Sequence, residues 1–259
     1  SSSPRETMPK GKEAALNALK LDNTLAEAHV SLARVKESFD WDWKGAEEGF
    51  KKAIELNPGY ADARIRYLIF LSWLGRFDEA IKEMEKAIEL DPVYMIASAS
   101  KMYPYYFSRQ FDKAMEVTLD VIEVNPNSPG PHTFLGEIYI CKSMYSEAIL
   151  ELEKDKAIRP NASIDAFIGI AYTNLGKKEK ARKMLDELIE RSKYEHISAV
   201  LLAKLAFDLG EKVLYRNILD KIIEQREGVL WIKINPLFDN LHSDKYWLDF
   251  FKNANLLEE

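Results

Sequence analysis

Cysteine is almost missing from this 259-residue chain. Cys141 is the single one, so no internal disulfide can form, and a reducing compartment, the cytoplasm, is the expected setting. Long apolar runs are missing too. The longest, such as Tyr67–Leu74, fall far short of the roughly 20 residues that a membrane-spanning helix needs. No charged-then-apolar leader opens the chain, so a membrane partner is not expected. An excess of basic charge is also lacking: 36 Lys and Arg stand against 42 Asp and Glu, a net charge of -6. A nucleic-acid surface needs clustered Lys and Arg to displace counterions from phosphates, so no nucleic-acid partner is expected for this chain itself.

Catalytic constellations are absent as well. His29, His132, His196 and His242 lie far apart, with no His or Cys spacing that assembles a metal site. Cys141 has no histidine near it in sequence, which makes it a poor nucleophile. There is no Gly-rich phosphate loop and no kinase catalytic-loop pattern. The sequence therefore predicts no enzyme, no catalytic residues, no cofactor and no bound metal.

What is present is a repeat. Apolar residues make up 47% of the chain, ample for a core. Prolines stand at 58, 92, 126 and 160, each 34 residues after the last, closing KAIELNPGY (52–60), KAIELDPVY (86–94), LDVIEVNPNS (119–128) and KDKAIRPNA (154–162). A second ladder of small residues, Ala46, Ala80, Ala114, Ala148 and Ala181, runs in the same period and lets paired helices approach closely. Each copy reads as two amphipathic helices, such as 61–74 and 79–90, around the tight turn GRFD (75–78). The opening SSSPRETMPKGK runs straight into a helical pattern, which predicts a piece of a longer protein.

The pattern resembles the tetratricopeptide repeat family. Leu135, Gly136, Tyr139, Ala148 and Pro160 carry its signature in one copy, and Ile168, Gly169, Tyr172, Leu175, Gly176 and Ala181 in the next. The resemblance implies an all-α fold, a right-handed α-solenoid superhelix of antiparallel helix pairs. Residues 1–25 are then a partial repeat with only its second helix. About six repeats follow, at 26–60, 61–94, 95–128, 129–161, 162–195 and 196–228, and a terminal helical cap covers 229–259. Two departures stand out. Asp155 replaces a usual small residue, which predicts looser packing, and Tyr215 does the same in the degenerate sixth repeat.

Several segments, among them FDWDWKGAEEGFKKAIELNP (39–58) and WIKINPLFDNLHSDKYW (231–247), are similar to a bacterial subfamily of these repeats. That subfamily forms the C-terminal part of multidomain signalling proteins behind winged-helix regulators, Ser/Thr kinases or nucleotide cyclases. The resemblance implies a protein-protein interaction scaffold or regulatory module binding a protein or peptide segment. Homodimerisation, through repeat six or through residues 1–25, is a further expectation.

In such a superhelix the first helix of each repeat lines the concave face. Helical spacing then predicts a partner-binding groove of Ile69, Trp73, Tyr103, Tyr106, Phe107, Glu137 and Ile140, apolar and aromatic at its middle. The same residues also suit packing between repeats, and a metabolite held in the concavity, in a small-molecule sensor, is the alternative function. A carboxylate clamp would need Lys, Arg and Asn to converge, but Arg34, Asn174 and Lys204 sit far apart. Pro104 is expected to kink the first helix of repeat three, or to be tolerated there. Asp40-Trp41-Asp42-Trp43 occupies a turn one residue longer than its counterparts; Asp42 is read as a helix cap, Trp43 as buried and Trp41 as half exposed, a structural motif.

Overall fold

A computed structural model describes residues 4–92, 100–225 and 227–254. Among these residues every regular element is helical. The chain forms two compact units. One runs to Gln110 and takes back Gln225–Asn235 from much later in the sequence; the other holds Phe111–Glu224 and continues from Pro236.

The first unit contains α1 (Pro4–Leu21), α2 (Ala26–Val35) running into a π-helical turn (Lys36–Asp40), α3 (Trp43–Leu56), α4 (Ala61–Trp73), α5 (Phe77–Leu90) and α6 (Met102–Phe107). Helices α2 and α3 pair, α4 and α5 pair, α4 stacks on α2 and α3, and α6 packs on α4 and α5. The second unit contains α7 (Phe111–Val124), α8 (Pro131–Cys141), α9 (Tyr145–Ile158), α10 (Ala162–Asn174), α11 (Lys178–Arg191), α12 (Ala199–Leu209), α13 (Lys212–Gln225) and α14 (Lys245–Asn253). Here α8 pairs with α9 and α10 with α11, while α12 packs on α10 and α11. The antiparallel helix pairs expected from the repeat are thus present in each unit.

The small-residue ladder explains the close pairing. Ala46, Ala80, Ala114, Ala148 and Ala181 are all 0% exposed. Larger apolar groups fill the space beside them: Phe50 and Phe70 are fully buried with ring centroids 5.5 Å apart, and burial of each such ring contributes about 1.5–3 kcal/mol. A third period appears only in the backbone. Trp41, Gly75, Arg109, Ser143, Gly176 and Gly210 all have positive φ, between 58° and 82°, and each stands in the turn between two successive helices. Glycine adopts that left-handed conformation freely; Trp41, Arg109 and Ser143 do so against steric resistance from their Cβ atoms.

Asp155 does not loosen its repeat. It is 1% exposed, and its carboxylate accepts from the backbone N–H of Gly130 (2.9 Å), the N–H of Thr133 (2.9 Å) and the Thr133 hydroxyl (2.5 Å). Helix α8 opens with Gly130 as its N-cap and Pro131 at the first position, so no side chain of its own caps it. The carboxylate from α9 supplies the missing acceptor and meets the positive end of the helix dipole.

Tyr215 is accommodated similarly. Its ring is 2% exposed and lies edge-on to Phe207, and its hydroxyl donates to Asp244 Oδ1 at 3.1 Å. Asp244 in turn caps α14 by accepting from Trp247 N–H at 3.0 Å. The tail expected as one terminal helix is helical only over Lys245–Asn253; before it stand two 3-10 turns, Leu230–Ile232 and Pro236–Leu241. Asn235-Pro236 explains the interruption, because the residue before a proline is pushed out of helical backbone. Pro104 falls in the first turn of α6, where amide groups have no partner within the helix, so it is tolerated. The preceding stretch, including Ala99, lies outside the described residues.

Candidate functional site

The extra residue in the first turn has a structural consequence. Helix α2 widens into the π turn Lys36–Asp40, closed by Asp42 N–H donating to Lys36 O at 2.9 Å. A π turn absorbs one surplus residue and re-aims the side chains that follow it. Trp41 then takes its left-handed conformation, and Asp42 caps α3 by accepting from Gly45 N–H at 2.9 Å, as the sequence predicts. Trp43 is half-buried rather than buried.

Trp41 is not merely part of a turn. Its indole Nε1–H donates to the carbonyl of Glu227 at 3.2 Å, across 186 positions of sequence. Next to it the chain passes so close that a Cβ on Gly228 would lie 3.5 Å from Ser38 Cβ. The 3-10 turn Leu230–Ile232 packs on α4. At the far end the Tyr106 hydroxyl of α6 donates to Asn235 Oδ1 at 3.0 Å. Residues 227–235 therefore meet the π turn and Trp41 after α2, helix α4, and Tyr106 of α6, and are held at both ends.

Of the predicted groove residues, Tyr106 meets this segment, through Asn235. Tyr103, Tyr106 and Phe107 form one aromatic cluster: Tyr103 stacks on Phe107 at 6.1 Å and Tyr106 meets it edge-on at 5.3 Å. Tyr106 and Phe107 are buried, Tyr103 half-buried. On α4, Ile69 is 9% exposed, and Trp73 is half-buried with its indole Nε1–H in the interior and no hydrogen-bond acceptor. Glu137 and Ile140 belong to α8 of the second unit, at 9% and 7% exposure. Sequence spacing missed Trp41 and the whole 227–235 segment. The longer first turn and the Asn235-Pro236 break were the signals available.

The electrostatics of the first unit centre on two carboxyls. Burial pushes the Glu37 carboxyl up to about 8, against the pull of the Arg34 and Arg66 cations. Burial also works to raise Glu47, but hydrogen bonds from Lys51, Arg76 and Tyr67 outweigh it and hold that carboxyl down at about 2. Glu47 thereby ties α3 to α4 and to the turn before α5, accepting from Tyr67 Oη at 2.9 Å and Arg76 Nη1 at 2.8 Å.

In the second unit the groups considered for a carboxylate clamp are engaged internally. Lys204 pairs with Asp208, both side chains buried, and Asn174 Nδ2 donates to Ile170 O at 2.9 Å. His132 is structural, its Nδ1 2.7 Å from Glu151 Oε2. A cleft of about 300 Å³ opens beside Tyr172, but Lys156 and Arg191 there pair with Asp165, each at 2.7 Å, and Lys180 donates to the Tyr172 hydroxyl. Among the described residues no group of three His, Cys, Asp or Glu could hold a metal ion, and no helix is long and apolar enough to cross a membrane.

Family models described as tetratricopeptide repeat match residues 42–97 and 168–192. Those two stretches carry the tetratricopeptide repeat pattern. Solved tetratricopeptide-like structures agree with it in fold. PilW, a widely conserved type IV pilus biogenesis factor, is 19% identical, covers 80% of this chain and 91% of its own, and superposes with a TM-score of 0.60. A thermophilic tetratricopeptide-repeat protein of Thermus thermophilus is 19% identical over 72% of this chain and 97% of its own, with a TM-score of 0.61. PilF of Pseudomonas aeruginosa is 15% identical over 89% and 98%, with a TM-score of 0.55. At these identities the likeness establishes the fold alone. A search of curated proteins finds no match.

Proposed function

We propose that this tetratricopeptide-repeat chain is a protein-protein interaction scaffold or regulatory module, and that it binds a polypeptide segment on the first-helix face of its first unit. The observation that carries the reading is the course of residues 227–235, a stretch of polypeptide already seated on that face between Trp41 and Tyr106. A surface that satisfies backbone and side-chain groups of one segment has the shape and donors to satisfy another. Ile69, Trp73, Tyr103, Tyr106 and Phe107 are the proposed contacts. Glu137 and Ile140 are proposed as contacts on the first-helix face of the second unit.

The resemblance of segments such as 39–58 and 231–247 to signalling proteins supports, in this reading, a position in the C-terminal part of a larger cytoplasmic regulator. The test is a random peptide library selected on the chain. Selected peptides are expected to lose binding to the double variant Trp73→Ala/Tyr103→Ala while its helical circular dichroism is unchanged. Equal binding to the double variant overturns the reading. A metabolite sensor is the competing function, and a thermal-shift screen in which a small molecule stabilises the chain would favour it.

A further inference from the structure

Connecting segments ordinarily run over the surface with polar side chains outward. Residues 227–235 do the opposite. Val229, Leu230 and Ile232 are 0%, 4% and 0% exposed, and the polar residues at the two ends, Glu227 and Asn235, are 6% and 1% exposed. Each end is met by a side chain from far away in the sequence: Trp41 donates to the Glu227 carbonyl at 3.2 Å and Tyr106 to the Asn235 carboxamide at 3.0 Å. Buried, matched polar ends around an apolar middle are the features of a bound peptide.

We propose that residues 227–235 are a built-in ligand of this groove, and that its partner is a segment of another protein with the same chemistry, which binds by displacing them. The partner segment carries apolar side chains at the spacing of Leu230 and Ile232 and a carboxamide three residues further on, as at Asn235. The proposal rests on the groove reading above and adds to it both the partner's pattern and a competitor within the chain. The tether holds its own segment at an effective concentration of about 1 mM. A second copy's segment competes poorly against that, and a partner gains access only when its affinity or local concentration exceeds what the tether provides.

The probe is a fluorescein-labelled peptide with the sequence of residues 227–236, EGVLWIKINP. Its anisotropy is read with the unaltered chain and with the variant Leu230→Asp/Ile232→Asp. The variant is expected to bind the probe about ten-fold or more tightly than the unaltered chain, because the competitor is gone. Adding Trp41→Phe or Tyr106→Phe to the variant is expected to weaken that binding several-fold. Equal affinity for both chains, or no binding to either, overturns the proposal. If the double Asp variant loses helicity, hydrogen exchange on the unaltered chain decides: excess probe is expected to speed exchange of amides 229–235 and slow those of α4, and an unchanged pattern overturns it. A dimer that grows with concentration and vanishes on substitution of Leu230 and Ile232 also overturns it, since the occupant is then a second copy. Failure here leaves the groove reading standing as long as library peptides still depend on Trp73 and Tyr103; loss of that dependence is the separate failure of the groove itself.

Discussion

Asp155 Oδ2 accepts both the backbone N–H and the hydroxyl of Thr133, at 2.9 and 2.5 Å, from a helix 22 positions later in sequence. The carboxylate, 1% exposed, replaces an N-cap that Gly130 cannot provide. Asp155→Ala removes the acceptor shared by the half-buried Gly130 and Thr133 donors and is expected to cost about 1–3 kcal/mol. Asp155→Asn keeps one acceptor and should cost roughly half as much. Urea unfolding of the two variants checks the order; an Ala variant as stable as the parent means that the network contributes nothing.

The left-handed turn position makes a paired prediction. Ser143, φ 59°, adopts without glycine the conformation that Gly176 adopts with it at 76°. Ser143→Gly relieves the steric cost but adds chain entropy to the unfolded state, a net stabilisation of about 0.5–1 kcal/mol. Gly176→Ala imposes the cost instead and is expected to destabilise by about 1 kcal/mol. Thermal unfolding should move in opposite directions for the two; shifts of the same sign refute the assignment.

Glu37 makes stability depend on pH. Its carboxyl lies at about 8 in the folded chain against an ordinary value of 4.5, so the folded state holds a proton that the unfolded state releases. The contribution is fully present below about pH 4.5, declines through the window up to about 8, and is gone above it, at about 1.4 kcal/mol per unit of separation. Glu37→Gln keeps the shape without the titration. It should unfold at a higher temperature than the parent at pH 9 and at a similar temperature near pH 4; a constant difference across that range sinks the idea.

Glu47 works in the opposite sense. Its carboxyl is held at about 2, so the ion pairs with Lys51 and Arg76 stabilise the fold above about pH 4.5 and are lost as pH falls towards 2. Glu47→Gln is expected to unfold more readily at neutral pH and to converge with the parent in acid. Acid titration of helicity for both chains tests this, and parallel curves count against it.

The sequence by itself determined the helix pairs, their 34-residue period and the alanines buried between them, because an apolar stripe, a closing proline and a small residue act over one or two helical turns. It also marked Asp42 as a cap and the first turn as one residue too long. Tertiary structure alone decided that Asp155 caps a helix it does not belong to, and that Tyr215 fills its oversized position by reaching Asp244. It alone decided where residues 227–235 lie. Trp41 and Glu227 are 186 positions apart and Tyr106 and Asn235 129 apart. No local periodicity encodes a contact of that range; it exists only once the stacked first helices have built a surface that buries Leu230 and Ile232 and matches the polar groups at either end.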